Sequence, residues 1–358
     1  MELITKLYNY INIQNLRTAI RIFYVVLKKD YSKYPYYLKQ FEKDLSKKFN
    51  SNFALSFSSG TASFYASIKA LNLKKKSNIL ISTMTFSSVS NTLKNLDMNL
   101  YYYDVDKNFN PDFKNSKLKN KSFDLIVVTH PFGFLSNFKK LNQFRTRTTK
   151  LIFDCSHVHG LKIDRKDINN FCDIAFYSIQ GNKALSGGEG GFVLTNDAKI
   201  YLSMINNHHP NHEKNTFPKK YTGLSNDIKL RMHPIASIIA KEGLKTLDER
   251  NNEVRKKIQI IYAYFKNISS IEIPGTDLNL TAGYHYGIPF YIKKKKKLEI
   301  KYPIVNFNWK LDYGASVNDA NSYLNRLYFI ELNWVKINSI RLIKNEINNF
   351  LKNNNLLS

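Results

Sequence analysis

The sequence predicts an α/β fold built on a doubly wound, mostly parallel sheet, and three observations predict it. From residue 52 onward, short apolar runs of strand length alternate with segments whose apolar residues fall at helical spacing. Such alternation gives a parallel sheet covered by helices, with ligands held at the strands' carboxyl ends. Polar residues cluster where several of these runs stop, at Ser58-Ser59-Gly60-Thr61, at Asp154 and at Ser178. Finally, 358 residues bury a large core, which favours one large domain and one small one.

Taken in order, residues 1–29 contain the apolar run 19–27, interrupted by Arg21. It is too short to span a bilayer and lacks a small-residue cleavage site. We expect it to pack on its own protein or a partner subunit rather than lie on a membrane surface. Residues 34–49 carry Leu38, Phe41, Leu45 and Phe49 at helical spacing. Then come a strand at 52–57, a helix at 62–73, a strand at 79–82, a helix at 87–96, and strands at 100–103, 125–129, 151–153, 173–177 and 192–194. Residues 206–221 are polar and loop-like, and 235–247 read as a helix. The expected domains are 1–50, a helical segment joining the small domain; 51–247, the ligand-binding domain; and 248–358, the small C-terminal domain.

Composition excludes several classes. Two cysteines, Cys155 and Cys172, give neither a disulfide framework nor a zinc spacing, which predicts a reducing, cytoplasmic setting and no metal. Cys155 reads as a small buried filler. His208, His209 and His212 lack a carboxylate constellation, so they too predict no metal site. The formal net charge of +26 is spread along the chain among many asparagines, which reads as solvated surface rather than a nucleic-acid footprint. The run 293–297 is read as a solvated loop or strand end.

Three stretches carry chemistry. Lys183 sits in a loop between two strands, and four of the chain's 14 glycines fall within 187–191. Glycines let a backbone approach a ligand closely, so Lys183 reads as a phosphate contact, a Schiff-base nucleophile or a solvated loop residue. Upstream, 150–154 reads as a strand ending in the carboxylate Asp154, followed by Cys155-Ser156-His157. A lysine and a carboxylate at nearby strand ends suit pyridoxal phosphate, which needs an amine to bond its aldehyde and an acid beside its ring nitrogen. The third stretch, a strand followed by Ser58-Ser59-Gly60-Thr61 and a helix, offers hydroxyls and a positive helix end for the phosphate.

Together these stretches resemble the DegT/DnrJ/StrS family of pyridoxal-phosphate sugar aminotransferases, of the aspartate-aminotransferase fold type. The resemblance is carried by Ser59-Gly60-Thr61-Ala62, Thr85-Phe86, residues 154–160, residues 178–183 with Gly188-Glu189-Gly190-Gly191, and Lys229-Leu230-Arg231-Met232. It runs from about residue 40 to 265. It implies a large domain with a mostly parallel seven-stranded sheet and a smaller α/β C-terminal domain. It further implies that Lys183 is catalytic and that Asp154, His157, Ser178, Gly60, Thr61, Phe86 and Lys229 bind the cofactor. Lys229, standing where the family has asparagine, would reach the partner's cofactor phosphate in a homodimer with shared active sites. The implied reaction moves an amino group from an amino acid, L-glutamate by expectation, to a keto group of a nucleotide-linked sugar. That chemistry serves surface-polysaccharide or amino-sugar biosynthesis. Residues 282–287 would lie near the substrate.

Rival readings are weaker. Leu185-Ser186-Gly187-Gly188-Glu189 is similar to the signature of ATP-binding-cassette proteins, but no Gly-Lys dipeptide exists to form their phosphate loop. A GxGxxG fingerprint is absent as well. Some members of the resembled family are dehydratases with histidine in place of the lysine, and Lys183 speaks for amino transfer. A non-catalytic regulatory or membrane-associated relative is supported only by the basic N-terminal helix and a C-terminal region that looks shortened beside the resembled family.

Overall fold

A computed structural model describes residues 13–29, 34–113, 118, 121–181, 183–208, 228–274, 287–293, 298–300, 304–306, 326–331 and 340–356. Helices α1 (Ile13–Leu27) and α2 (Tyr34–Lys48) lead into β1 (Phe53–Phe57), α3 (Gly60–Ala70), β2 (Asn78–Ser82), α4 (Ser87–Asn95), β3 (Asn99–Val105) and β4 (Pro111–Asp112). Next come β5 (Leu125–Thr129), β6 (Lys150–Asp154), the small hairpin β7 (Lys162–Ile163) and β8 (Lys166–Asp167), β9 (Ile174–Ser178), β10 (Gly191–Thr195) and α5 (Ala198–His208). Helices α6 (Pro234–Lys245) and α7 (Leu247–Phe265) precede β11 (Ile271–Glu272), β12 (Gly287–Ile292), β13 (Ile304–Asn306), β14 (Leu327–Glu331) and α8 (Ile340–Asn353).

The main sheet has eight strands in the order β1-β10-β9-β6-β5-β2-β3-β4. Seven are those the sequence leads one to expect. The eighth, β4, has two residues, too few for any alternation to show, and pairs antiparallel with the end of β3. Pairs β9–β6, β6–β5, β5–β2 and β2–β3 are parallel, while β10 runs antiparallel to both its neighbours. Two reversals restore the direction, so β1 points the same way as β9. The carboxyl ends of β1, β2, β5, β6 and β9 therefore lie along one edge, and the polar residues that follow each of them converge there.

The strands are buried on both faces, as their near-continuous apolar sequences require. One face packs against α3 through Phe64 and Ile68 and against α5 through Ile200 and Met204. The other packs against α2, whose Leu38, Phe41 and Leu45 are fully buried at the spacing read from the sequence, and against α6 and α7. Glu42 of α2 pins this layer down: its Oε1 accepts from the Ser56 N–H at 2.8 Å and the Ser56 hydroxyl at 2.7 Å. Helix α1 lies on α6, with Val25 buried and Arg21 paired to Glu242 at 3.3 Å, while Leu16, Ile20, Phe23 and Leu27 remain exposed.

A second, antiparallel sheet of order β11-β12-β14-β13 is covered by α8 through Ile343, Ile347, Phe350 and Leu351. It meets the main sheet where Phe132 packs on Phe329, ring centroids 5.8 Å apart, and where the Tyr291 hydroxyl donates to the Lys107 carbonyl. Most of the stretch expected as a polar loop, with His209 and His212, lies outside the described residues, as do 282–286 and 294–297; α5 itself continues to His208.

Candidate active site

Gly60 marks one wall of the cavity at the strand ends. A Cβ on it would stand 2.7 Å from the Ser178 Cβ, so only glycine lets the first turn of α3 sit against the end of β9. Ser59 caps that helix, its hydroxyl accepting from the Ala62 N–H at 3.0 Å. The free N–H groups of the first turn and the helix dipole thus face the cavity beside two hydroxyl side chains. Gly191 does the same from below: a Cβ there would meet the Ser59 carbonyl at 2.5 Å.

Asp154 closes β6 and is 7% exposed. Burial raises its carboxyl above the ordinary range, opposed by hydrogen bonds from Ser156 and by the charge of Lys183. The Ser156 N–H donates to its Oδ1 at 3.0 Å, and the Ser156 hydroxyl accepts from the Ser178 N–H at 3.1 Å, tying the ends of β6 and β9 together. Cys155, between them, is fully buried with its thiol pushed up by burial, the inert filler expected.

Lys183 is carried on the β9–β10 hairpin. The Gly187 N–H donates to the Ile179 carbonyl and the Ile179 N–H to the Gly190 carbonyl, each at 2.9 Å. Gly188 and Gly190 take φ of +82° and +142°, conformations closed to other residues without strain. So the glycines fold the loop back on itself and turn Lys183 into the cavity. Burial lowers its amine from 10.5 to about 8, against the opposing pull of Asp154. Its Nζ lies 2.9 Å from Nε2 of His157.

These groups line one cavity of about 280 Å³. It receives Lys183, Asp154, His157, Ser178, Gly60, Thr61 and Phe86, seven of the eight residues expected from the sequence. The eighth, Lys229, is exposed and is not part of the cavity wall; the adjoining Leu230 carbonyl accepts from the Ser58 N–H at 2.7 Å. Ser156, Gln180, Glu189, Thr129 and His130 also line the cavity without having been singled out. Thr129 and His130 carry no motif, but they directly follow β5, and parallel-strand ends are the signal that would have found them.

A parallel α/β sheet whose strand ends gather a buried acid, a desolvated lysine and a bare helix start defines the fold-type-I pyridoxal-phosphate proteins. The chain belongs to the DegT/DnrJ/EryC1/StrS aminotransferase family, whose model matches residues 20–304. It is 25% identical over 239 residues to GDP-perosamine synthase of Escherichia coli O157:H7, a match covering 66% of this chain and 64% of that one. A match to GDP-perosamine synthase of Vibrio cholerae, 23% identical, covers 45% of this chain and 44% of that protein, so the chain spans less than two thirds of either relative. In fold it is similar to E. coli GDP-4-keto-6-deoxy-D-mannose-3-dehydratase with bound hydrated PLP, at TM-score 0.71, 22% identity and coverage of 86% and 91% of the two chains.

The family is PLP-dependent, and the residues present fit that cofactor. The contact that forbids any side chain at residue 60 leaves backbone N–H groups and hydroxyls at a helix start, as a phosphate needs, with an acid and an amine within the same cavity.

Proposed function

We propose that the protein is a pyridoxal-phosphate aminotransferase moving an amino group from L-glutamate to a keto group of a nucleotide-linked sugar, in cytoplasmic amino-sugar or surface-polysaccharide biosynthesis. The observation carrying this reading is that Lys183 and Asp154 face one cavity, with the lysine amine brought down to about 8. Bound pyridoxal phosphate supplies an aldehyde that condenses with amines and a ring that takes up the electron pair of a broken C–H bond. Lys183 would be the amine that anchors the cofactor's aldehyde, and as the free base it would take up and return the proton of the donor's α-carbon. Asp154 holds the proton at the ring nitrogen. Ser178 and the first-turn N–H groups at Gly60 and Thr61 would hold the phosphate, with His157 and Phe86 available to contact the ring. Lys229 serves the partner's phosphate in a homodimer, as a point charge rather than a fork. Residues 51–247 form the cofactor domain in this reading. The resemblance to GDP-sugar enzymes supports a GDP-linked keto sugar as acceptor.

The test is a half-reaction. Protein loaded with pyridoxal phosphate and mixed with L-glutamate should release one 2-oxoglutarate per cofactor. Adding a GDP-linked 4-keto sugar should then restore the starting absorbance. A protein that holds no pyridoxal phosphate, or holds it but releases no oxo acid from any amino acid, ends the proposal.

A further inference from the structure

His157 is set by a contact outside the family signature. Its Nδ1 accepts a hydrogen bond from the Phe132 backbone N–H at 3.2 Å, while its Nε2 lies 2.9 Å from Lys183 Nζ. A neutral imidazole carries one proton, and a nitrogen that accepts an N–H cannot hold it. The proton therefore sits on Nε2 and points at the lysine. A hydrogen bond there needs a lone pair on Nζ, which an ammonium lacks. We propose that His157, fixed in its tautomer by Phe132, is the positioning residue that biases Lys183 toward its free base before any cofactor binds.

Phe132 supplies a second observation. It adopts φ 51° and ψ 24°, the left-handed region, with its ring buried between Phe109 and Phe329. A bulky aromatic there is strained, and such strain persists only where the surroundings enforce it. Here the twist presents the N–H to His157. Other titratable groups around the cavity are Asp154, His130 and Glu189, and His159 also acts on His157 through its charge. Asp154 favours the charged amine, and burial works against it. Burial, the largest cause, holds the imidazole well below its ordinary range and so in its neutral form.

The value of a free base rests on Lys183 being the cofactor lysine, but the test does not. Competitive trace labelling with acetic anhydride, read by peptide mass spectrometry across pH on the cofactor-free protein, gives the titration of the Lys183 amine directly. Replacing His157 by Phe keeps the site apolar and removes the donor. The Lys183 midpoint should rise by about one unit, a tenfold loss of free base at neutral pH, as the loss of one buried hydrogen bond implies. His157→Gln, whose amide serves either charge state, should also raise it and covers the case in which the Phe variant does not fold. A midpoint unchanged from wild type in the folded variant overturns the assignment. If the midpoint rises but the wild-type protein fails to bind pyridoxal phosphate, the His157 inference stands and the aminotransferase reading falls.

Discussion

Gly60 and Ser178 touch so closely that a single methyl on the glycine would stand 2.7 Å from the serine Cβ, and this contact joins the start of α3 to the end of β9. Gly60→Ala must push the two apart. Such overpacking costs about 1–3 kcal/mol, and the displaced N–H groups should weaken pyridoxal-phosphate binding by roughly tenfold or more. Fluorescence titration of the cofactor into wild-type and variant protein measures this; equal affinities would mean that the first turn of α3 takes no part in phosphate binding.

Removing the amine is more drastic. Lys183→Ala should leave the fold intact and abolish covalent retention of the cofactor. After borohydride reduction, mass spectrometry should find the cofactor's mass on the 183 peptide of wild type only. Amino transfer should fall by at least about a hundredfold, the usual worth of a positioned acid–base group. Cofactor mass on a different lysine of wild type would move the site.

The depressed Lys183 amine also sets a pH dependence. In the unfolded chain the amine titrates at 10.5, in the folded one at about 8. Between those values the unfolded state binds more protons, so this group makes stability rise with pH across that window. Lys183→Met should remove the rise, a difference on the order of 2–3 kcal/mol across the window. Urea denaturation of cofactor-free protein at both ends shows it; parallel pH curves for wild type and variant contradict it.

Asp154 works with the opposite sign. Burial raises the carboxyl, so the unfolded chain releases that proton first and stability falls as pH rises through the folded value. Asp154→Asn should raise the melting temperature of the cofactor-free protein by about a few degrees at neutral pH and abolish turnover. A variant that melts earlier would show the carboxylate to be a structural asset instead.

The shared site has its own test. Lys229 is exposed in the single chain, away from its own cavity. If it serves the partner's phosphate, Lys183→Ala and Lys229→Ala proteins, each weak alone, should regain activity when unfolded and refolded together, since a mixed dimer carries one intact site. No gain on mixing refutes the exchange.

Much of the fold and the site is legible in the sequence, because strand termini and glycines leave strong local marks. Asp154, Lys183 and the Ser59-Gly60-Thr61 turn each carry a motif, and parallel strand direction brings them to one edge. The helix starting at Gly60 rather than 62, and ending at Ala70 rather than 73, shows how weakly ends are written: capping by Ser59 moves the start back to the glycine. What stayed hidden depends on contacts distant in sequence. Nothing in the neighbourhood of Phe132 announces a left-handed aromatic, since its ring is held by Phe109 and Phe329. Likewise β4 is too short for a pattern, and the reason for the soft Lys183 amine, burial, is a property of the closed cavity rather than of adjacent charges.

The placement of β10 between β1 and β9 governs when the site can exist. Phe57 pairs with Gly191, and Gly191 in turn with Ser178, so β1 has no seat in the sheet until β10 has been laid down. On the ribosome, the early phosphate-facing turn must therefore wait for the late lysine hairpin to emerge, a long-range closure of the kind that slows folding. Vitamin capture is thereby postponed until synthesis has passed β10, beyond the midpoint of the 358-residue chain, and a fragment stopping short of Gly191 would leave the cradle without its floor.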